Sequence, residues 1–350
     1  MPAQLTLLDR YHDLLARPGE TFPITLGEGG TPLVAARRLG AELGLDSLYL
    51  KCEGTNPTGS FKDRGMVLAV NRALASGARA VVCASTGNTA ASAAAYAAAA
   101  GLRCLVVLPA GNVARGKLAQ AVAAGAELIT VDGNFDRALA GVRAMGDEGA
   151  VVVVNSINPD RIVGQQTGAF EVVDELGTAP DAVALPVGNA GNITAYWAGF
   201  ERYEASGRTD RRPRMLGFQA AGAAPIVLGS PVEEPQTVAT AIRIGNPASW
   251  DGALAARDES GGLIEPVSDE EILSMQLRIA RLEGVFCEPA SAAGVAGVAR
   301  LATDGRLDRD ETIVCILTGH GLKDPDIVSG GDTVTPVAGD AEAIRKAMRL

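Results

Sequence analysis

In "NPTGSFKDRG", residues 56–65, Lys62 follows a turn-forming run, Asn56-Pro57-Thr58-Gly59-Ser60, and opens what reads as a helix. A helix N-terminus carries partial positive charge and disfavours a cation. A loop lysine is ordinarily a solvated charge. One held beside Phe61 by a rigid turn is instead suited to Schiff-base chemistry with an aldehyde, the standard role of a desolvated amine.

Four more stretches carry polar groups at positions where chemistry is done. In "STGNTAAS", residues 85–92, Ser85, Thr86 and Asn88 stand between a strand and an alanine-rich helix. Their hydroxyl and amide groups can cap the helix, or the same turn can hold a carboxylate or phosphate. In "PVGNAGNIT", residues 186–194, Gly188 and Gly191 let the backbone approach an anion, while Asn189 and Asn192 tolerate left-handed dihedrals. The spacing matches neither the P-loop nor the dinucleotide fingerprint, and a purely structural turn would also use glycine. In "LTGHGLKDP", residues 317–325, Thr318 sits at a strand's carboxyl end, within reach of a ligand or simply exposed in a turn. In "NSINPDRIVGQQT", residues 155–167, Asn155, Ser156 and Arg161 follow a valine run, and the arginine can clasp phosphate by paired hydrogen bonds or lie on a helix surface.

The elements that position these groups follow a βαβ grammar, hence a parallel sheet. Strands are expected at Leu48–Lys51, Ala80–Ala84, Cys104–Leu108, Leu128–Val131, Val151–Val154, Ala182–Val187, Met215–Gln219 and Thr312–Leu317. Helices are expected at Gly65–Ser76, Ala90–Ala100, Ala114–Ala124, Phe135–Met145, from near Ile193, Glu270–Leu282 and Ser291–Ala302. Gly77, Gly101 and Gly125 read as helix-ending residues. Ligands belong in crevices beyond the carboxyl ends of such strands. Residues 228–250, with Pro231, Pro235 and Pro247, read as a long loop of functional type.

With 350 residues the chain can hold about two α/β layers, meeting near residue 150, each burying its own core. A net charge of -10 argues against a nucleic-acid partner and means that an anionic substrate needs a local basic pocket. The five cysteines lack C-x-x-C spacing, and His12 and His320 are the only histidines, which leaves disulfides, a metal site and a Ser-His-Asp triad poorly supported. The N-terminal segment lacks the pattern of a signal peptide, and the alanine-rich 89–110 region, broken by Arg103, falls short of a membrane span, so a cytoplasmic location is expected.

These segments, in this order, resemble the fold-type II family of pyridoxal-phosphate enzymes, most closely the threonine synthases. The resemblance runs over roughly residues 20–325 and includes "GEGGTPL" at 27–33; Asp63, next to the lysine, is more typical of the synthases than of threonine or serine dehydratases. It implies an α/β, tryptophan synthase β-like fold of two domains, each a mainly parallel sheet flanked by helices. Residues 50–150 would form a smaller mobile domain, and 1–49 with 151–350 a larger one carrying the phosphate loop.

The resemblance further implies Lys62 as the cofactor-bound lysine and general base, Asn88 on the cofactor's phenolic oxygen, Gly188, Asn189, Ala190, Gly191 and Asn192 around its phosphate, and Thr318 at the pyridine nitrogen. Ser85, Thr86 and Thr89 would take the substrate carboxylate; Asn155, Ser156 and Arg161 would take its phosphate. The implied reaction, a carbon–oxygen lyase type of chemistry on a phosphate, converts O-phospho-L-homoserine and water to L-threonine and phosphate by β,γ-elimination and water addition at Cβ, in a homodimer. A threonine or serine dehydratase of the same fold and a non-catalytic anion-binding protein are the alternatives. A nicotinamide oxidoreductase lacks its glycine fingerprint here.

Overall fold

The computed structural model describes residues 5–109, 115–132, 142, 151–327, 337–339 and 341–348. Ten strands form within them: β1 Leu33–Ala35, β2 Ser47–Cys52, β3 Ala80–Ala84, β4 Arg103–Pro109, β5 Glu127–Val131, β6 Val151–Val153, β7 Ala182–Pro186, β8 Arg214–Ala220, β9 Leu263–Val267 and β10 Thr312–Leu317. They make a six-stranded sheet in the order β1-β2-β10-β7-β8-β9 and a four-stranded sheet in the order β5-β4-β3-β6. Only β1–β2 is antiparallel; the other neighbours run parallel. Every residue of β3 and of β7 is buried, as expected of central strands covered on both faces, which is why they read as unbroken apolar runs rather than alternating ones.

Seven helices bear on the site: α1 Lys62–Ala75, α2 Asn88–Ala100, α3 Arg115–Ala123, α4 Pro159–Gln165, α5 Thr167–Leu176, α6 Gly191–Ala205 and α7 Pro289–Thr303. One hydrophobic cluster runs from Val81 and Val106 of the smaller sheet through Met66, Val67 and Val70 of α1 to Val183 and Val314 of the larger. α1 thus sits between the sheets. It packs against α4 so closely that a Cβ on Gly65 would lie 2.5 Å from the carbonyl oxygen of Arg161, and one on Gly164 2.4 Å from that of Arg64. Glycine at both positions sets that distance, and with it the spacing between Lys62 and Arg161.

Several expectations shift. The junction expected at residue 150 falls later, because Val151–Val153 pairs with Ala80–Val82 and so extends the four-stranded sheet. Strands β1 and β9 were not anticipated; β9 contains Pro266, which suppresses the strand signal but is tolerated on the edge strand that β9 is. Helices α4 and α5 were likewise missed, hidden in a polar stretch that starts with Asn158, whose side chain caps α4 by accepting from the Asp160 N–H at 2.9 Å. Gly77, Gly101 and Gly125 do take left-handed φ of 76°, 66° and 82°. Of the helix expected at Phe135–Met145, only Val142 is among the described residues, and it is buried. Among the described residues no helix is long and apolar enough to cross a membrane.

Candidate active site

The turn before Lys62 is stitched to the end of β10. Phe61 N–H donates to the Thr318 carbonyl at 3.0 Å, His320 N–H donates to the Gly59 carbonyl at 2.9 Å, and Ser60 bridges Gly319. Asp63 closes the turn from inside, accepting from Thr58 N–H at 2.7 Å, from Thr58 Oγ1 at 2.6 Å and from Ser92 Oγ at 2.6 Å. Lys62 is the first residue of α1, with no side-chain cap before it. Its Nζ lies 4.2 Å from the Phe61 ring centroid and makes no ion pair or hydrogen bond among the described residues.

That amine faces a cavity of about 1910 Å³, into which all the residues singled out in the sequence converge. Ser85, Thr86, Asn88 and Thr89 line it from the turn between β3 and α2. Asn155, Ser156 and Arg161 line it from the segment after β6, residues 188–192 from the turn between β7 and α6, and Thr318 from the end of β10. The site therefore gathers carboxyl ends of strands from both sheets, as parallel α/β architecture dictates. Burial, the nearby Arg161 guanidinium and, in the opposite direction, Glu288 bring the Lys62 amine down to about 7. Arg161 is fully buried, its guanidinium lowered to about 10 by burial; among the described residues it meets only the Val154 carbonyl, at 3.2 Å, with Nε left without a partner. A buried guanidinium with no carboxylate partner among the described residues calls for an anion.

The turn of residues 188–192 supplies anion donors. Ala190 is left-handed, φ 64°, the only non-glycine with positive φ among the described residues; the conformation expected of Asn189 or Asn192 falls on the residue between them. Neither asparagine needs it: Asn189 Oδ1 accepts from Ala248 N–H at 2.6 Å, tying the 228–250 loop to the turn. Ala190 precedes α6 without a side-chain cap, so the first amides of a 15-residue helix point into the cavity unclaimed. Both amide atoms of buried Asn192 lack partners. Gly188 lies against Ile242, where a Cβ would come within 2.8 Å of its Cα.

The other turn is arranged differently. The cap of α2 is Gly87, not a hydroxyl residue; Ser85 Oγ accepts from Gly87 N–H at 3.2 Å, and Asn88 Nδ2 donates to Glu288 Oε2 at 3.0 Å. The capping reading of Thr86 and Asn88 is thus not realised. Asn155 spends its amide on strand pairing, accepting from Ala84 N–H and donating to the Ala84 carbonyl, both at 2.9 Å. It can turn only one N–H towards a ligand.

Sequence reading missed Glu288. It is the N-cap residue of α7, ahead of Pro289, with its carbonyl accepting from Ser291 N–H at 3.0 Å but no side-chain cap bond, and it lines the cavity. The available signal was an acidic residue at an N-cap that Ser, Thr, Asp or Asn normally fills. The long loop, by contrast, does line the cavity, through residues 231–233, 235 and 240–248. Among the described residues no group of His, Cys, Asp and Glu could hold a metal.

Comparison with known proteins settles the family. Residues 24–319 match the family described as pyridoxal-phosphate dependent enzyme. The chain belongs to this family. A threonine synthase of Mycobacterium tuberculosis is 57% identical over 342 residues, covering 97% of this chain and 95% of its own. One from Synechocystis is 54% identical over 346 residues, covering 98% and 90%. Among solved structures, the processed form of threonine deaminase isoform 2 from Solanum lycopersicum superposes with TM-score 0.73 at 22% identity, covering 93% of this chain and 94% of that one, a likeness of fold.

The cavity of this pyridoxal-phosphate enzyme fits the family's cofactor on its own geometry. A nucleophilic amine, a cradle of free amides with an unpartnered asparagine, and a neutral hydroxyl on Thr318 share one space large enough for the cofactor and a substrate.

Proposed function

We propose that this enzyme is a threonine synthase, converting O-phospho-L-homoserine and water to L-threonine and phosphate. The observation that carries the reading is that the Lys62 amine, lowered to about 7, and the buried Arg161 guanidinium face one cavity that also contains the amide cradle, neither in an ion pair among the described residues. The cradle suits one phosphate and Arg161 with Ser156 suits a second, and a substrate bearing its own phosphate is what separates this reaction from a dehydratase. The high identity to threonine synthases across nearly the whole chain supports the same choice.

In this reading residues 188–192 hold the cofactor phosphate through backbone amides, Asn88 its phenolic oxygen, and Thr318 its ring nitrogen. Bound pyridoxal phosphate supplies an aldehyde for Lys62 and the substrate amine to take up in turn, and an electron sink for carbanions at Cα and Cβ. Lys62 does the proton work. Displaced by substrate, its Nζ is neutral near pH 7 and removes the Cα proton and then a Cβ proton, a general base poised at the operating pH. Ser85, Thr86 and Thr89 orient the substrate carboxylate at the start of α2, and Arg161 and Ser156 hold the leaving phosphate, with Asn155 fixing the strand ends that present them. The smaller sheet and its helices would form a mobile domain that closes to keep water out until the addition step. A cytoplasmic homodimer completes the proposal.

Supplying O-phospho-L-homoserine and, separately, L-threonine to the purified holoenzyme tests it. Stoichiometric release of phosphate and L-threonine from the first is expected; 2-oxobutyrate from the second, with no phosphate release from the first, would replace this reading with a dehydratase.

A further inference from the structure

Glu288 is the one carboxyl group in the cavity that touches two residues with proposed cofactor roles. Its Oε2 accepts from Asn88 Nδ2 at 3.0 Å, and its Oε1 lies 3.2 Å from Thr318 Oγ1. Glu288 N–H donates to the Gly319 carbonyl at 2.9 Å, which fixes the backbone against the end of β10. The carboxyl occupies a niche that only glycine at 319 leaves open, since a Cβ there would lie 2.6 Å from the Glu288 carboxyl carbon. Glu288 is buried, with 2% of its surface accessible.

Hydrogen-bond counting around Thr318 then constrains the proton on Glu288. The Thr318 hydroxyl has one proton and two lone pairs. Its neighbours are Glu288 Oε1 and Ser291 Oγ, the latter at 3.0 Å. Ser291 Oγ accepts from Gly319 N–H at 3.0 Å, and its own proton, within 3.3 Å of the Gly319 carbonyl, can turn instead to Thr318 Oγ1 at 3.0 Å. If Thr318 donates to an unprotonated ring nitrogen, its lone pairs must be met by Ser291 O–H and by a proton on Glu288 Oε1. Every group is then satisfied, with Glu288 Oε2 still accepting from Asn88. If Glu288 is ionised, it takes the Thr318 proton, and the hydroxyl can only accept, which demands a protonated ring nitrogen.

Resting on the proposed cofactor placement, we propose that Glu288 is a positioning residue that serves as a neutral carboxylic acid, directing the Thr318 proton to the cofactor's ring nitrogen and orienting Asn88. Burial pushes its carboxyl up and outweighs the hydrogen bonds to Asn88 and Thr318, which favour the ionised form; of the charged groups facing it, Lys323 and Lys62 of α1 also favour ionisation, both with amines lowered by burial, and Asp324, beyond β10, favours the neutral form. Cys287, beside it, is a buried thiol raised by burial, so adds no charge.

The test compares wild-type holoenzyme with E288Q and E288A. A glutamine can donate to Thr318 and accept from Asn88 as the acid does. The expected results are an infrared carbonyl band of a protonated carboxyl in the wild type at neutral pH that is missing in E288Q, and a cofactor absorbance whose position and pH titration are kept in E288Q but shifted in E288A. In kcat, E288A should fall about tenfold below E288Q, the loss of one buried hydrogen-bond partner. No such band, or a titration moved as far by E288Q as by E288A, overturns the proposal. If E288A does not fold, the infrared comparison decides alone. The spectra need only the bound cofactor, so an enzyme that is coloured but releases no phosphate refutes the proposed reaction while Glu288 is still judged; a colourless wild type refutes both.

Discussion

Two pairs of basic side chains, all buried except the half-buried Lys62, stand close in this molecule and are treated in opposite ways. Lys51 and Arg64 lie in a closed ionic cluster: Lys51 pairs with Glu175 and, at 3.1 Å, with Glu171, while Arg64 contacts Glu53 at 2.6 Å, Glu171 at 2.6 Å and Thr31 at 3.0 Å. Lys62, two residues before Arg64, and Arg161 form no ion pair among the described residues, although Glu288 acts on Lys62 through space. Burying a charge without a partner is costly, and proteins rarely keep such a charge unless something else meets it. The paired cations tie the "GEGGTPL" segment to α1 and α5, with Gly30 N–H also donating to Glu171 at 2.7 Å. The unpaired ones wait for anions. Pairing, rather than burial, separates scaffold from chemistry here.

The comparison breaks most sharply at the lysines. Lys62→Ala should cut threonine formation by about 10³-fold or more, since both attachment and general base are lost, with the folded protein retained. Lys51→Met should instead lower thermal stability while the cofactor can still be trapped on Lys62 by borohydride. Phosphate-release assays, borohydride trapping and melting curves on the two variants distinguish the roles.

Next in size is Glu171→Gln, which leaves Arg64 and Lys51 under-compensated and should cost about 3–5 kcal/mol by denaturant unfolding at pH 7. Arg64 and Lys51 hold the Glu171 carboxyl at about 2, against an ordinary 4.5. The unfolded chain therefore binds more protons between those values, so this stabilisation is present above pH 4.5 and is lost as pH falls towards 2. The gap between wild type and variant should close over that window; a gap constant with pH would show that Glu171 acts by packing alone.

Arg161→Gln should weaken substrate use by about 10–100-fold, mainly in KM, as expected for losing a charged hydrogen bond to phosphate. Unlike the loss of Arg64, it should not destabilise the cofactor-free protein. A melting temperature that drops as far as in Arg64→Gln would erase the distinction drawn here.

A last test is the pH dependence of the cofactor-free protein. The Lys62 amine is lowered to about 7 from 10.5, so the unfolded state binds more protons across that range and wild-type stability rises with pH through it. Lys62→Met should therefore be the more stable protein below pH 7, with its advantage shrinking towards pH 10.5. An advantage that does not vary with pH would mean the amine is solvated.

Much of this was legible in the chain. The strand at Ala80–Ala84 and the strand at Thr312–Leu317 were expected with the observed limits, because runs buried on both faces need only local apolarity and β-branching. Lys62, Asn88, Thr318 and the 188–192 turn were legible as well, since turn chemistry and strand ends leave short-range marks. Glu288 left only a faint mark: a glutamate at an N-cap before a proline is explained well enough by the dipole, and its contacts to Asn88 and Thr318 span 200 and 30 residues.

By itself, then, the sequence determined the βαβ order, the glycine-closed helices and the choice of Lys62 as the candidate amine, all properties of neighbouring residues. Only the tertiary structure decided which buried charges would be neutralised, that Ala190 rather than an asparagine would take the left-handed turn, and that Asn155 would be spent on strand pairing. Those outcomes depend on which groups meet across the two sheets. Electrostatics and hydrogen bonding are settled by distance in space, which the order of residues does not record.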